Sequence, residues 1–311
     1  MTQTRPVAIS GFTFLRNGVS YGYPFEASIR SVLPLVDEFI IALGDCSDGT
    51  GEALEAIGDP KLRVVRTQWN ESMRDRGFVY GQQKMIAHYC CQGDWALYVE
   101  GDEVFHEDDL AGIRAAAQAA QTDARVEAFA FRYHHFFGSP GWTAIGPGWY
   151  RTAVRMIRNT LRAYSPDGLF FTVSDGDNKR TRYPRAIVLP QHVYHYGHVR
   201  TVEQMREKLR AVGKYWNVEQ DFERYAIDPR FLRSFDGAHP EAVADWLQRN
   251  AVRDFAPDPA HVATRRERRH LLKMRMESML GIDLSRRHYT RLGEGMGAIR
   301  GAGPGADGAP R

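Results

Sequence analysis

The sequence of 311 residues predicts an α/β fold built on a doubly wound, mostly parallel sheet. Apolar segments of strand length alternate with segments of helix length over residues 7–120. The strand segments are apolar enough to be buried on both faces, as the strands of parallel sheets are. Polar clusters follow the second and fourth strands, at the edge where active sites lie in such sheets.

The first strand is predicted at residues 7–14, because the apolar run VAISGFTF lies between Pro6 and the turn pair Asn17-Gly18. A helix follows at 24–35, where apolar residues recur at helical spacing. The later elements of this half are a strand at 38–43, a helix at 50–57, a strand at 62–67, a helix at 77–91, a strand at 95–99 and an alanine-rich helix at 108–120.

After residue 126 the alternation loosens, and loops rich in Gly, Pro and aromatic residues separate the elements. A helix is predicted to begin at Thr201, because Gln204 three residues later completes the pattern of a capping box. The elements predicted here are strands at 127–133, 150–157 and 186–194 and helices at 201–216 and about 261–279.

The composition excludes several classes of protein. With 43% hydrophobic and 12% aromatic residues the chain is a globular protein, and no apolar stretch approaches the roughly 20 residues that cross a bilayer. The three cysteines lack metal-ligand spacing, and we recognise no signal peptide, so we expect a reduced, cytoplasmic protein. The net charge of +3 is too small to indicate a nucleic-acid partner.

An acidic cluster follows the fourth strand, with six carboxylates among residues 100–109. Glu100-Gly101-Asp102 is a carboxylate pair around one glycine, a pattern that suits Mg²⁺ or Mn²⁺. At a strand end, we expect Asp102 to be exposed and to contribute little to core packing. The alternative is a solvated turn or the acidic first turn of the next helix.

The second polar cluster, Asp45-Cys-Ser-Asp-Gly-Thr50, ends the second strand and opens a helix. Its carboxylates could accept hydrogen bonds from a nucleobase or ribose, or the segment could be an ordinary turn with a helix cap. The sequence contains neither G-x-G-x-x-G after the first strand nor a P-loop, which weighs against dinucleotide oxidoreductases and P-loop NTPases.

Three histidines lie within seven residues, at His192, His195 and His198. A histidine at a strand end can bind a metal or contact a diphosphate, although a single one is more often a core residue with satisfied hydrogen bonds.

Taken together, several blocks resemble a bacterial branch of the family 2 glycosyltransferases over residues 7–220. The turn at Asp45–Thr50 resembles that family's D-x-S-x-D-G-T turn, one residue shorter, and Tyr98-Val-Glu-Gly-Asp-Glu-Val104 resembles its D-x-D region. Further similar blocks are Ser10-Gly-Phe-Thr-Phe-Leu-Arg-Asn-Gly18, Tyr23-Pro-Phe-Glu-Ala-Ser-Ile-Arg-Ser-Val-Leu-Pro34, Phe131-Arg-Tyr-His-His-Phe-Phe-Gly138, Val154-Arg-Met-Ile-Arg-Asn159 and Tyr194-His-Tyr-Gly-His-Val199. The resemblance implies a GT-A fold, a nucleotide-sugar donor and a divalent cation, Mn²⁺ or Mg²⁺.

On the donor side, the resemblance implies that Asp45 contacts the base and that Asp48 supports its loop. It also implies that Arg76 and Lys84 lie near the nucleotide.

At the metal, the resemblance makes Asp102 the principal ligand and His195 a metal or diphosphate contact. Glu100 stands where the family has aspartate, so its longer side chain could reach the ribose or a metal-bound water instead. If the enzyme inverts, a carboxylate must take the acceptor proton. Asp167 is our candidate, with Asp175 and Asp177 as rivals.

These observations predict a glycosyltransferase that uses a glycan or lipid-linked acceptor, as in the synthesis of cell-surface glycans or glycolipids. Nucleotidyl transfer on sugar phosphates and a non-catalytic GT-A-like binding module at a membrane remain as alternatives. The expected division is a catalytic domain at 1–220 (a donor half at 1–125 and an acceptor half at 126–220), a helical basic extension at 221–292 and a disordered tail at 293–311.

The basic extension carries nine Arg or Lys and three Asp or Glu over residues 262–291, a net charge of +6. Such a helix could simply pack on the catalytic domain. It could instead bind anionic lipid weakly, as a peripheral contact at the inner membrane face.

Overall fold

The computed structural model describes residues 5–174, 176, 180–217, 222–250 and 255–293. It confirms a mixed α/β fold with a large, mostly parallel sheet of eleven strands, and a second sheet of three short strands lies beside it.

The strands are β1 (Ile9–Leu15), β2 (Glu38–Leu43), β3 (Leu62–Arg66), β4 (Trp95–Tyr98), β5 (Glu103–Phe105), β6 (Ala128–Phe137), β7 (Ser139–Ala144), β8 (Thr152–Arg158), β9 (Ala163–Tyr164), β10 (Thr172–Ser174), β11 (Thr181–Arg182), β12 (Arg185–His198), β13 (Leu232–Ser234) and β14 (Thr290–Arg291). The α-helices are α1 (Phe25–Val32), α2 (Thr50–Ile57), α3 (Phe78–Tyr89), α4 (Leu110–Ala119), α5 (Val202–Trp216), α6 (Ala244–Asn250) and α7 (Arg265–Leu280). Short 3₁₀ turns lie at Glu107–Asp109, Pro229–Phe231 and Glu241–Val243.

The main sheet has the order β13-β7-β6-β8-β4-β1-β2-β3, and β12 pairs with β6, β5 and β14. The strands β1 to β4 are parallel neighbours, whereas β8 inserts antiparallel between β4 and β6. Only β5, β7 and β8 among the described strands of this sheet run against the others. The carboxyl ends of β1, β4 and β12 therefore meet at one edge.

Side-chain alternation along the central strands creates two cores, one on each face of the sheet. Ile9 and Leu15 of β1 face the cluster that α1, α2 and α4 cover, whereas Phe12 faces the cluster that α3 covers. Helices on both faces make the sheet doubly wound, as the alternating pattern predicted.

The acidic segment after β4 differs from its prediction as a turn. Residues Glu103–Phe105 form strand β5, which pairs antiparallel with β12 so that Glu103 lies opposite His195. The strand is only three residues long and lies within the acidic segment 100–109, so local patterns do not indicate it. Its stability comes from pairing with a distant segment.

The expected helical extension at 221–292 also contributes strands. β13 pairs with β7 and β14 with β12, so this segment extends the main sheet besides carrying α6 and α7. Of the tail expected at 293–311, residues 294–311 lie outside the described part of the chain. Within the described part, no helix has both the length and the apolar character needed to cross a membrane.

The predicted start of α5 is confirmed. Thr201 accepts a hydrogen bond from the backbone of Gln204, and the Gln204 side chain accepts one from the backbone of Thr201, which completes a capping box.

Candidate active site

A cleft of about 380 Å³ opens at the sheet edge where β1, β4 and β12 end, with α5 as one wall. It brings together four of the residues selected from separate sequence blocks, namely Glu100, Asp102, Asp167 and His195. Its position agrees with the rule that parallel α/β sheets bind ligands beyond the carboxyl ends of their strands.

Asp102 is buried in this cleft, with only 3% of its surface exposed, so the expectation of an exposed carboxylate was wrong. Its backbone carbonyl accepts a hydrogen bond from Tyr196 N at 2.8 Å, which holds it against β12. Its Oδ2 accepts hydrogen bonds from Lys208 Nζ at 2.9 Å and Arg200 Nη2 at 3.2 Å. Burial alone would raise the pKa of Asp102, but the cations Lys208 and Arg200 hold it well below its usual value. Asp102 therefore remains an anion.

His195 presents a free ring nitrogen to the same carboxylate. The carbonyl oxygen of Tyr150 can only accept, so His135 Nε2, 2.8 Å away, carries the proton there. Burial lowers the pKa of His135 to about 4, so its ring is neutral and its Nδ1 accepts from His195 Nδ1 at 2.9 Å. Burial also lowers the pKa of His195. The unprotonated Nε2 of His195 then lies 3.7 Å from Asp102 Oδ1.

Asp102 Oδ1 and His195 Nε2 together fit a divalent cation that the protein holds loosely. Lys208 and Arg200 both bind Oδ2 of Asp102, which leaves Oδ1 facing the histidine nitrogen. No group of three or more His, Cys, Asp or Glu ligands occurs among the described residues. The donor set thus suits an ion such as Mg²⁺ or Mn²⁺ that keeps waters and takes further ligands from substrate phosphates.

Glu100 shares one arginine with a second carboxylate. Arg155, almost fully buried, donates to Glu103 from Nε at 2.8 Å and from Nη2 at 2.6 Å, and Nη2 also donates to Glu100 at 2.7 Å. Burial raises the pKa of Glu100 to about 8, against the opposing effect of Arg155, so Glu100 can hold a proton at neutral pH. Sequence reasoning missed Arg155, although an arginine in the middle of an apolar strand was a detectable signal.

Asp167 lines the cleft from the loop before β10. Its Oδ1 accepts a hydrogen bond from Leu169 N at 3.0 Å, and burial raises its pKa. The rival residues Asp175 and Asp177 lie outside the described residues.

The turn after β2 lies outside the cleft. Asp45 lines a separate cavity of about 250 Å³ beside Cys46 and Arg66. Asp48 accepts hydrogen bonds from Ser20 N at 2.7 Å and Thr50 Oγ1 at 2.6 Å, and these bonds outweigh burial and lower its pKa. Asp48 thus ties its own loop to the loop after β1.

The two expected nucleotide cations lie elsewhere. Arg76 is exposed on the loop before α3 and lines neither cavity. Lys84 is fully buried, where its Nζ donates to the carbonyl of Gly168 at 3.1 Å and lies 4.0 Å and 3.8 Å from the ring centres of Tyr98 and Phe171. Burial lowers the pKa of Lys84 well below its usual value. Because the ammonium reaches no surface, this arrangement contradicts the predicted nucleotide contact.

The cations that do line the cleft, among the described residues, are Arg16, Lys208 and Lys214. Glu71 accepts hydrogen bonds from Arg16, from Lys214 Nζ at 2.6 Å and from Tyr215 Oη at 3.0 Å. Lys214 and Arg16 lower the pKa of Glu71 to about 2. These contacts tie α5 to the loop after β3, and sequence reasoning missed all of them.

Aromatic rings form another part of the lining. Trp69, Tyr80 and Tyr215 lie with ring centres 5.3 to 5.8 Å apart, and all three border the cleft. Flat faces of this kind can pack against a base or a sugar. Trp69 and Tyr80 come from the loop before α3 and from α3 itself, and Tyr215 comes from α5, so no local pattern indicated the cluster.

No family model and no curated protein sequence matches this chain. Solved structures that match this chain include glucosyl-3-phosphoglycerate synthase from Mycobacterium tuberculosis, in complex with Mn²⁺, uridine diphosphate and phosphoglyceric acid, and S. aureus TarS. The synthase is 18% identical with a TM-score of 0.30, over 41% of this chain and 43% of its own. TarS 1-349 is 15% identical with a TM-score of 0.39, over 67% of this chain and 65% of its own. The likeness therefore spans less than half of the synthase and under two thirds of TarS.

Proposed function

We propose that this chain is a GT-A-type glycosyltransferase, which moves a sugar from a nucleoside diphosphate sugar to an acceptor hydroxyl. The observation that carries the proposal is the cleft, where the candidate base Asp167 meets Glu100, Asp102 and His195. These last three residues come from two separate blocks that resemble family 2 glycosyltransferases. Three cations suit the charge of a diphosphate, and the aromatic faces suit a base or a sugar ring.

In this reaction the bond between the anomeric carbon and the diphosphate oxygen breaks, and the electron pair leaves with the nucleoside diphosphate. The acceptor oxygen forms the new bond to that carbon and releases its proton to a base. We assign the base to Asp167, because it lines the cleft and burial makes its carboxylate a stronger proton acceptor than an ordinary aspartate.

Asp102 Oδ1 and His195 Nε2 would hold Mn²⁺ or Mg²⁺, which when bound supplies positive charge to the departing diphosphate. Asp102 keeps its charge at neutral pH because the cations Lys208 and Arg200 lower its pKa. Glu100 would face the ribose, as a carboxyl that holds its proton and can therefore donate a hydrogen bond.

The donor base would extend towards β2, where Asp45 and Cys46 line the smaller cavity. Arg16 connects the two cavities, because its side chain lines the cleft while its Nε donates to the carbonyl of Asp45 at 3.3 Å. Residues 1–125 would thus bind the base and ribose of the donor. Residues 126–220 would bind the acceptor and, through His195, supply part of the site for the diphosphate and its metal. We assign no role in binding to Arg76 or Lys84.

A lipid-linked acceptor agrees with the surface of α7. Leu272, Met276 and Met279 are 61%, 44% and 84% exposed, and they lie on the helix face that also carries the exposed Arg265 and Arg268. Apolar side chains beside cations suit an anionic bilayer, which we propose as a peripheral contact of this helix.

The test is a thermal-shift screen of nucleotide sugars with and without Mn²⁺, followed by product analysis with the donor that binds. We expect one donor to raise the melting temperature and to release its nucleoside diphosphate when an acceptor is added. Release of the sugar 1-phosphate, with transfer of the nucleoside monophosphate group, would instead indicate nucleotidyl transfer. If no nucleotide sugar or nucleoside diphosphate binds, the proposal is wrong.

A further inference from the structure

We propose that Lys208 binds the diphosphate of the donor directly and is more than a counter-ion of Asp102. This inference rests on the proposed function and names the cation that recognises the donor.

Its position is the first argument. Lys208 lies on α5 seven residues after the capping residue Thr201, and the side chain lines the cleft with 16% of its surface exposed. The ammonium lies 5.0 Å from the ring centre of Tyr23. Arg200, by contrast, is fully buried and does not line the cleft.

Charge is the second argument. Asp102 supplies one negative charge to a cluster in which Arg200 and Lys208 supply two positive charges. The surplus is positive whichever protonation state His195 has. Since Arg200 is already bound to Tyr21 O at 2.6 Å and to Asp102, the surplus reaches the cleft through Lys208.

Hydrogen-bonding capacity is the third argument. An ammonium has three N–H donors. Lys208 uses one on Asp102 Oδ2 at 2.9 Å and one on Gly197 O at 3.3 Å, and no third acceptor contacts it within the described part of the chain. One donor therefore remains for a phosphate oxygen.

The other cations have competing partners. Arg16 and Lys214 also line the cleft, but both bind Glu71. Lys84 is sealed in the core and Arg76 lies outside both cavities. Lys208 is thus the cleft cation closest to the Asp102 and His195 pair that would sit at the diphosphate.

The experiment is calorimetry with UDP, GDP, CDP, ADP and TDP and with the matching nucleosides, each in EDTA and in Mn²⁺. For the nucleoside diphosphate that binds, Lys208→Met should weaken binding roughly ten- to a hundredfold, as expected for one lost charge-assisted hydrogen bond. Binding of the nucleoside should not change, which also shows that the variant is folded. The loss should persist in EDTA, since a residue that acted only through a metal on Asp102 would matter only with Mn²⁺.

Arg210→Met is the matched control, because Arg210 is an exposed cation two residues further along α5 and should leave both affinities unchanged. If Lys208→Met does not fold, Asp102→Asn and the double variant Asp102→Asn/Lys208→Met are compared in EDTA, and the double variant should bind the diphosphate more weakly. Equal diphosphate affinity with and without Lys208 overturns the inference and leaves the proposed function standing. Failure of every nucleoside diphosphate to bind the unmodified protein overturns both.

Discussion

Replacing Asp102 by asparagine should destabilise the fold by about 3–5 kcal/mol, the cost of breaking a buried ion pair by removing one partner. Asp102 is 3% exposed. Of its partners, the Arg200 side chain is fully buried and the Lys208 side chain is largely buried. The amide keeps the volume of the carboxylate but cannot neutralise either cation. Two charges, one of them fully buried and one largely buried, would then remain without this counter-ion.

Equilibrium urea unfolding, followed by circular dichroism without ligand or metal, measures this difference. Asp108→Asn is the matched control, because its side chain is 89% exposed and its loss should change stability by no more than about 0.5 kcal/mol. The double variant Asp102→Asn/Lys208→Met should be more stable than Asp102→Asn alone, because it leaves one buried cation unpaired instead of two.

The effect should also depend on pH. The pKa of Asp102 is depressed in the folded state, so its contribution is present above the ordinary carboxyl value of 3.8 and is lost as the pH falls towards the folded-state value. The gap between the protein and Asp102→Asn should therefore narrow below about pH 4. If Asp102→Asn unfolds at the same urea concentration as the unmodified protein at pH 7, the buried cluster does not stabilise the fold.

Three other predictions concern the cleft, the smaller cavity and α7. The pKa of Glu100 is raised from 4.5 to about 8, so its burial should lower the stability of the protein as the pH rises between these values. The melting temperature should therefore fall less between pH 5 and pH 8 for Glu100→Gln than for the unmodified protein, and identical declines would contradict the raised pKa. Asp45→Ala should weaken nucleotide binding roughly ten- to a hundredfold in calorimetry, with or without Mn²⁺, since its proposed partner is the base; unchanged affinity would leave this segment an ordinary turn. Charge reversal at Arg268 and Arg269 should reduce low-salt co-sedimentation with anionic vesicles, each cation contributing about 1 kcal/mol, whereas no binding by the unmodified protein would make α7 a structural helix only.

Local patterns in the sequence were enough to predict the alternating strands and helices and the edge of the sheet where the candidate site lies. The first two strands and the start of α5 could be predicted because apolar runs, turn pairs and a capping box involve residues close together in the chain. The same patterns placed Glu100 and Asp102 at the end of β4, since a strand and the turn after it are adjacent in sequence.

The tertiary structure alone decided how those residues are used. Lys208 reaches Asp102 across 106 positions and Arg155 reaches Glu103 across 52, so no periodicity or motif could pair them. The pairing of β5 with β12 buried Asp102, which the sequence had predicted to be an exposed residue at a strand end. The packing of α3 placed Lys84 in the core. Burial and ion pairing depend on which distant segments pack together, and that packing sets the charge and reach of each side chain in the cleft.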